Sequence, residues 1–380
     1  MKTVKYFIVC SFFIFLSCNQ RPQNDTDVKE YLIPVGENGD ILLSDIVGDY
    51  KIVPLETKEN SLLGEIQKVE LYDEKIFILS RNQIFVFEQN GKFIQKINRT
   101  GRGPGDYIEI KDFDIFSETL FILDRTGQNV LEYDLKGRHI NTRHISMWAQ
   151  KLIVLNENEI LIYSGEEDNS YNQCKFSVVN NNGEITGLIP IDERKSKFLH
   201  VSSTQNFIRH ASNIYFHEAF NDVVYEIDNG RIEPIYHFIY DGLNIPDSFF
   251  DQSFDNIFSF FQEFNKTNYI NGIYDLFWVD NNMFFKAYRN GNAQLFVVNT
   301  ETGFLKTSNY LKNDVLLDDV EVPVGELSLG LSNDRLWFFM YPSELNENSS
   351  QITNPILKDL LEKISDESNP IMIITDMQKI

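Results

Sequence analysis

A glycine-rich loop over residues 98–110, NRTGRGPGDYIEI, is the part of the sequence that most resembles a phosphate-binding segment. Such segments place glycines between a strand and a helix, and the first amides of that helix face the anion. The residues after Asp106 continue instead into a second strand-like segment, and neither the dinucleotide nor the P-loop glycine pattern is present. We therefore predict a tight turn between two strands, with the charged Arg102 at its tip as the residue able to reach a ligand.

Catalytic and metal-binding patterns are also missing from the sequence. None of the six histidines lies in HExxH or in another close metal-ligand pair, although His210 and His217 could converge across a hairpin. No GxSxG elbow occurs, and Cys174 has no identifiable catalytic partner. Acidic pairs such as Asp112 with Asp114 are expected by chance among 56 acidic residues. The sequence therefore predicts no catalytic residue, no metal site and no cofactor.

The charge of the chain restricts its partners. Its 380 residues carry a formal net charge of −22, and aromatic residues make up 13% of the composition. A surface this acidic repels polyphosphates, so we expect no nucleic-acid partner. The aromatic content exceeds that of a disordered chain and indicates a folded core.

The N-terminus resembles a bacterial lipoprotein signal. Lys2 and Lys5 precede an apolar segment, residues 7–16, that is too short to span a bilayer as a mature helix. It ends at Leu16-Ser17-Cys18, where a small residue precedes a cysteine as in a lipobox. We predict a signal peptide over 1–17, a lipid on Cys18 that anchors the protein to the outer membrane, and a flexible tether over 18–40. The alternative is an ordinary signal peptide in which Cys18 is incidental.

The elements that position these residues follow from a repeat. Four hairpin glycines, Gly91, Gly137, Gly183 and Gly230, lie 46, 46 and 47 residues apart, and short runs of alternating apolar residues surround each of them. A period in the forties with four strands per unit is typical of propeller blades. We count six units over residues 41–380, and the unrepeated strand at 49–57 would complete the last one. The predicted fold is all-β, a six-bladed β-propeller with four-stranded blades that the N-terminal strand closes.

Two inserts interrupt the strand pattern, and each predicts a short helix. The insert in blade five follows Pro246, with Asp247 or Ser248 as the N-cap, and has apolar residues at helical spacing: Phe250, Phe254, Ile257, Phe258, Phe261 and Phe264. We expect this face to pack on the core, and an aromatic platform for a ligand is the alternative. The insert in blade six has one apolar face: Ile356, Leu357, Leu360, Leu361 and Ile364.

A candidate binding face follows from the predicted topology. Propellers usually bind ligands where the chain crosses between blades and where second strands join third strands. On this fold that face collects eight residues: Arg81, Arg102, Tyr107, Arg125, Trp148, His217, Glu218 and Arg289. Arginine offers bidentate contacts and aromatic rings offer stacking, so the set would suit an anionic or sugar-like ligand. The alternative is that these are ordinary solvated loop residues.

The glycine-rich loop also suggests a family. GRGPGDY at 101–107, followed by LFILD and VLEYDLKG in the next blade, resembles the six-bladed β-propeller lipoproteins of Bacteroidetes. The sequence is similar, more distantly, to NHL repeats. The resemblance implies an envelope lipoprotein, exposed at the cell surface and connected with nutrient acquisition. It brings no catalytic motif.

These observations favour a binding or scaffold module without enzymatic activity. Its expected partners are the membrane, through Cys18, and a glycan, a peptide or an outer-membrane protein. The alternative is a propeller hydrolase or lyase with its site at the axial channel, and whether the protein is an enzyme stays open. Inner strands would supply the acidic residues of such a site: Asp112, Asp114 and Asp275.

Overall fold

The computed structural model describes residues 28–34, 36, 39–167, 171–201, 203 and 205–377. Three strands precede the repeats: β1 (Lys29–Leu32), β2 (Ile41–Leu42) and β3 (Val47–Pro54). Blade 1 contains β4 (Ile66–Tyr72), β5 (Lys75–Ser80), β6 (Gln83–Glu88) and β7 (Phe93–Ile97). Blade 2 contains β8 (Ile110–Phe116), β9 (Thr119–Asp124), β10 (Asn129–Asp134) and β11 (His139–His144). Blade 3 contains β12 (Lys151–Asn156), β13 (Glu159–Tyr163), β14 (Phe176–Asn180) and β15 (Ile185–Gly187).

The second half of the chain continues the same antiparallel pattern. Blade 4 contains β16 (Phe207–His210), β17 (Asn213–Phe216), β18 (Val223–Asp228) and β19 (Arg231–Ile239), and helix α1 (Ile257–Phe264) follows it. Blade 5 contains β20 (Tyr274–Val279), β21 (Asn282–Arg289), β22 (Asn292–Asn299) and β23 (Leu305–Ser308). The small sheet contains β24 (Tyr310–Asn313), β25 (Val320–Pro323) and β2. The closing blade contains β26 (Leu329–Ser332), β27 (Arg335–Met340), β28 (Ile371–Met377) and β3, with helices α2 (Pro342–Glu347) and α3 (Pro355–Leu361) between β27 and β28.

The described residues form seven sheets, so the predicted count of six blades is wrong. The additional member is the small sheet, in which β2 pairs with β24 in parallel, Ile41 opposite Leu311. Its strands contain at most four residues and repeat nothing earlier in the chain. The hairpin glycines therefore could not reveal it.

The first strand of each four-stranded blade lies nearest a common axis. These strands contact one another in succession, in the order β4, β8, β12, β16, β20 and β26, and β26 contacts β4. The small sheet packs on blade 5 instead, where β24 contacts β22 and β2 contacts β23. In the closing blade β3 pairs antiparallel with β28, Pro54 opposite Ile371. The predicted closure by an N-terminal strand is confirmed.

The blades differ in polarity from their centre to their rim. The middle strands of blade 1, KIFILS and QIFVFE, are buried at nearly every position because neighbouring blades cover both of their faces. The outer strand β7 alternates between exposed and partly buried residues, since one of its sides faces water. The continuous apolar runs thus identify the second and third strands of a blade.

The propeller has two faces. On the crossover face the chain passes between sheets and second strands join third strands. On the hairpin face first strands join second strands and third strands join fourth strands. Every loop that carries a predicted site residue lies on the crossover face, as the topology of a blade requires.

Residues 29–32, which the sequence assigned to a flexible tether, form strand β1. It pairs in parallel with the outer strand β19, Lys29 opposite Tyr236. The Lys29 ammonium and the Tyr31 hydroxyl both donate to the carbonyl oxygen of Thr300, on the hairpin face. The tether predicted for 18–40 is therefore wrong for these four residues. The predicted signal peptide and Cys18 lie outside the described residues.

The blade-five insert differs from the single helix predicted. A 3₁₀ turn over Asp247–Asp251 precedes α1, and the side chain of Asn256 caps α1 by accepting from the amide of Phe258. Phe250 and Phe254 are buried, but Phe258 is 76% exposed. The prediction of core packing is confirmed for most of the stripe, and the helical register is wrong because the chain breaks between the turn and α1.

The insert of the closing blade contains the predicted helix, α3, preceded by the unpredicted α2. Asn354 caps α3 by accepting from the amide of Ile356. Leu357 is buried against the core, whereas Ile356 is 56% exposed. Within the described residues, no helix is long and apolar enough to cross a membrane.

Candidate functional site

The glycine-rich loop forms a turn on the crossover face. The amide of Tyr107 donates to the carbonyl of Arg99 at 3.0 Å and closes the loop. Gly105 has a φ of +74°, and a Cβ added there would lie 2.5 Å from Cγ of His139. Only glycine fits this position without strain or displacement. Glycine is therefore required here by the conformation of the turn. Arg102 is exposed at the tip of the loop.

Two of the predicted site residues are fully buried. Tyr107 donates its hydroxyl hydrogen to the carbonyl oxygen of Asn82 at 3.1 Å, and burial raises the pKa of Tyr107. His217 Nδ1 lies 2.9 Å from the carbonyl oxygen of Ile273, and burial lowers the pKa of His217 to about 4. Neither side chain can contact a ligand from the face. Their prediction as ligand-binding residues is corrected, because both belong to the packing beneath the loops.

Arg125 and Trp148 do come together on the crossover face. The guanidinium of Arg125 lies 5.0 Å from the centre of the Trp148 ring, within the range of a cation–π contact. Trp148 is 42% exposed. Arg125 Nη2 and Gln150 Nε2 each donate to Oε1 of Glu167 at 2.8 Å, and His200 Nδ1 lies 3.7 Å from Oε2 of Glu167. We call these five residues the Trp148 platform.

Local structure explains why the ring points outward. In the crossover before β12, residues 145, 147 and 149 are buried, so the alternate residue Trp148 faces solvent. Arg125 follows β9 in a turn that Asp124 closes by accepting the amide hydrogen of Gly127 at 2.9 Å. The turn and the crossover both lie on the crossover face, and this topology brings the two side chains together.

An ion-pair network continues from the platform to blade 4. Lys175 Nζ lies 2.7 Å from Oε1 of Glu166 and 2.9 Å from Oε1 of Glu218. Burial opposes the charge of Lys175, but the two carboxylates hold its pKa above the usual range. Glu218 also accepts from the hydroxyl of Tyr163 at 2.8 Å. Glu218 is thus engaged within the protein, although it lies on the face where it was predicted.

Two further lysines lie beneath the platform. Burial and the nearby guanidinium of Arg125 lower the pKa of Lys111. Burial lowers the pKa of Lys151 to about 8. The nearby charges of Lys68 and Lys111 also lower this pKa, and the carboxylate of Asp112 raises it. These lysines lie close to carboxylates, Asp112 among them, so the interior beneath the face carries charges of both signs.

The axial carboxylates are matched to cations. Asp112 Oδ1 lies 3.0 Å from Nζ of Lys68. The carboxylate of Asp114 accepts both terminal nitrogens of Arg209, at 3.2 and 3.0 Å, and the amide of Val154 at 2.7 Å. A cavity of about 30 Å³ remains beside these residues, enough for one water molecule. The axis is thus a compensated charge network between blades.

The remaining candidates for chemistry at the axis are also engaged. Asp275 pairs with the buried Lys286 at 2.9 Å. His210 does not converge with His217, because it bonds Asp334 at 3.0 Å on the hairpin face. Among the residues that the structure describes, no three His, Cys, Asp or Glu side chains are placed to hold a metal ion.

Arg81 and Arg289 are both on the crossover face but in different surroundings. Arg81 Nη2 donates to the carbonyl oxygen of Leu63 at 3.2 Å, which joins the loop to the preceding crossover. Arg289 lines a separate cleft between blade 5 and the small sheet. The eight predicted residues therefore form no single site, since only Arg125 and Trp148 share an exposed contact.

Sequence reasoning missed several residues of these sites. Gln150, Glu167 and His200 complete the Trp148 platform, and Glu167 follows a second strand just as Arg81 and Arg125 do. That equivalent position was a usable signal. The amide-bearing residues around Arg289 gave no comparable signal, because part of that cleft belongs to the unrepeated small sheet.

Several solved structures align with most of this chain. A Bacteroides fragilis protein described as exported is 17% identical, with a TM-score of 0.74, covering 92% of this chain and 100% of its own. A member of the DUF4221 family from Bacteroides vulgatus is 10% identical over 87% of this chain and 96% of its own, with a TM-score of 0.49. A virginiamycin B lyase from Staphylococcus aureus is 13% identical over 86% and 99%, with a TM-score of 0.45.

The likeness to the Bacteroides fragilis protein, at 17% identity, shows the fold alone and nothing about activity. No curated protein matches the sequence. The predicted likeness to NHL repeats stays a prediction. A family model matches residues 30–376, which is most of the chain and all of the blades. The chain belongs to the family described as domain of unknown function DUF4934.

Proposed function

We propose that this protein is a non-enzymatic binding module of the cell envelope, held to the outer membrane by a lipid on Cys18. Its Trp148 platform contacts a glycan, a peptide or a partner protein. The observation that carries the proposal is the Trp148 ring, 42% exposed, with the Arg125 guanidinium 5.0 Å from its centre. Tryptophan and arginine are the residues most enriched at the energetic centres of interfaces.

The platform is rigid before any ligand arrives. Arg125 donates a hydrogen bond to Glu167 at 2.8 Å, and Gln150 donates another to the same carboxylate at 2.8 Å, so these bonds hold Arg125 and Glu167 in place. A side chain that is already held loses little conformational entropy on binding, so its contacts contribute more to affinity. An exposed indole beside a fixed guanidinium offers a stacking surface together with donors for hydroxyl, carbonyl or carboxylate groups.

The axis favours binding over hydrolysis. A hydrolase or lyase site there needs carboxylates free to exchange protons or to hold a metal ion. Asp112, Asp114 and Asp275 each pair instead with a lysine or an arginine. The pairs of Asp112 and Asp114 each join two blades and the pair of Asp275 lies within blade 5, which leaves the crossover face as the surface for recognition.

The test of binding is an affinity experiment on the lipid-anchored protein from native membranes. Wild type is compared with Trp148→Ala and with Phe304→Ala, which removes an aromatic ring that is 62% exposed on the hairpin face. Co-purifying glycan or protein, identified by mass spectrometry, should be lost with Trp148→Ala and kept with Phe304→Ala. Equal recovery from the three proteins would remove the platform from the proposal.

The test of anchoring is separate. Cys18→Ser should move the protein from the membrane fraction to the soluble fraction, and mass spectrometry of the wild-type N-terminus should find an acylated cysteine. A wild-type N-terminus that begins elsewhere, without lipid, would contradict the anchor and leave the binding test unaffected.

A further inference from the structure

A polar cleft opens on the crossover face where the small sheet meets blade 5. Its volume is about 610 Å³, within the range of natural ligand sites. One wall is the end of β21, at Arg289, together with the turn that joins it to β22. The other wall is the segment Pro323–Glu326, whose 3₁₀ turn packs on β22. Both walls belong to packed elements, so the cleft is preformed.

Arg289 brings an unsatisfied charge to this cleft. Within the described part of the chain, its guanidinium forms no hydrogen bond and no ion pair, and Nε is shielded from solvent. A guanidinium carries five N–H donors in a planar fork and cannot lose its proton. A shielded donor without an acceptor raises the free energy of the folded protein. An anion in the cleft would supply the missing acceptor, so its binding would be favoured.

The remaining polar side chains of the cleft are neutral amides, a phenol and the carboxylate of Glu326. Gln294 Nε2 donates to Oδ1 of Asn309 at 3.1 Å, which leaves Gln294 Oε1 as an acceptor and Asn309 Nδ2 as a donor. Asn292 adds a third amide, and Tyr310, 42% exposed, adds a ring and a hydroxyl. Paired donors and acceptors beside an aromatic ring match the hydroxyls and the flat face of a sugar.

We infer that this cleft binds an acidic carbohydrate, with the uronate carboxylate on Arg289 and the sugar hydroxyls on Asn292, Gln294 and Asn309. The inference rests on the proposed function, because it names a ligand class for the binding module. The apolar part of the lining is small, chiefly Ala293 and Pro323, and offers no pocket for the side chain of a peptide. Glu326 also lines the cleft, and its carboxylate would accept hydrogen bonds from sugar hydroxyls.

The experiment is isothermal titration calorimetry of the full-length protein with trigalacturonate, and with neutral maltotriose as the matched ligand. Wild type is compared with Arg289→Gln, Tyr310→Ala and Arg231→Gln, the last removing an exposed arginine at the hairpin face. We expect wild type and Arg231→Gln to prefer the acidic ligand. Arg289→Gln should weaken trigalacturonate binding about tenfold or more, the value of a charged hydrogen bond, and erase the preference. Melting temperatures establish that each variant is folded.

Three results would overturn the inference. Trigalacturonate could fail to bind wild type at millimolar concentration, or it could bind Arg289→Gln and Tyr310→Ala as tightly as wild type. It could also bind these two variants normally and fail to bind Trp148→Ala. That third result would place the acidic sugar on the Trp148 platform, so the proposed function would survive while the cleft would lose its ligand.

Discussion

The axis and the Arg289 cleft differ in whether their charged side chains form ion pairs. At the axis, Lys68 and Arg209 come within 3.0 Å of Asp112 and Asp114, and each pair joins two different blades. In the cleft, within the described residues, Arg289 has no charged partner. The difference follows from position. First strands converge at the axis and bury their side chains, so an unpaired charge there would destabilise the fold.

The cleft lies outside that constraint. It forms where the small sheet, which is no part of the repeat, meets the rim of blade 5. Packing there leaves a cleft rather than an interdigitated interface, and a charged side chain in a cleft stays accessible to a ligand. Charge inside the ring therefore serves stability, whereas the charge beside the added sheet has no partner among the described residues.

Lys68→Met should cost the most stability. Lys68 is 14% exposed and lies 3.0 Å from Asp112, which is 2% exposed, so the substitution leaves a buried carboxylate without its cation. We expect the free energy of unfolding, measured by urea titration, to fall by about 3–5 kcal/mol. Lys363→Met is the control, because Lys363 and Asp359 are an exposed pair and should contribute about 0.5 kcal/mol or less. Equal losses would remove the distinction between axis and surface.

His217 should make stability depend on pH. Burial lowers its pKa to about 4, below the value of about 6.5 in the unfolded chain. The unfolded state therefore binds the proton first as the pH falls, and the native state loses stability between about pH 6.5 and 4. His217→Gln has no imidazole to protonate, so its free energy of unfolding lacks this pH dependence. The free energy of unfolding of wild type, relative to that of the variant, should therefore fall by about 3 kcal/mol from pH 7 to pH 4. A gap independent of pH would contradict a neutral, buried imidazole.

Gly105→Ala tests whether the glycine-rich loop contributes to the stability of the fold. Gly105 and Gly183 have similar φ values, +74° and +78°, but only Gly105 has a close neighbour, since a Cβ there would lie 2.5 Å from Cγ of His139. Gly183→Ala should cost about 1 kcal/mol for the backbone, and Gly105→Ala about 2 kcal/mol or more. Thermal unfolding of both variants measures the difference. Equal costs would show that the loop has room to relax.

Arg289→Gln should have the smallest effect on stability. An arginine without an internal partner contributes little to the folded state and its shielded Nε costs stability, so we expect no loss greater than about 0.5 kcal/mol by urea titration. A loss comparable to that of Lys68→Met would mean that Arg289 is engaged within the protein. The comparison between axis and cleft would then fail.

Much of the fold was predictable from the sequence because its signals are local. Hairpin glycines and alternating apolar runs located the strands of blades 1 to 5, and the unrepeated strand at 49–57 pointed to the closure by β3. The small sheet and β1 gave no such signal. The short strands β1 and β2 pair in parallel with β19 and β24, which lie far away in the chain, and such pairing depends on the assembled fold.

The sites were predictable only where topology decides them. Arg125 and Trp148 meet because a strand turn and a crossover share one face of the propeller. Tyr107 and His217 occupy equivalent loops, yet their side chains turn inward and find backbone partners. The direction of a loop side chain depends on tertiary packing, and the spacing of residues does not contain that information.

The direction of β1 has a consequence for orientation at a membrane. Because β1 runs parallel to β19, the chain enters the propeller from the hairpin face, where Lys29 bonds the Thr300 carbonyl. Cys18 precedes Lys29 by eleven residues, which span at most about 40 Å when fully extended. A lipid on Cys18 would thus hold the hairpin face toward the bilayer. The Trp148 platform and the Arg289 cleft would point away from it, open to polymers too large to approach the lipid surface.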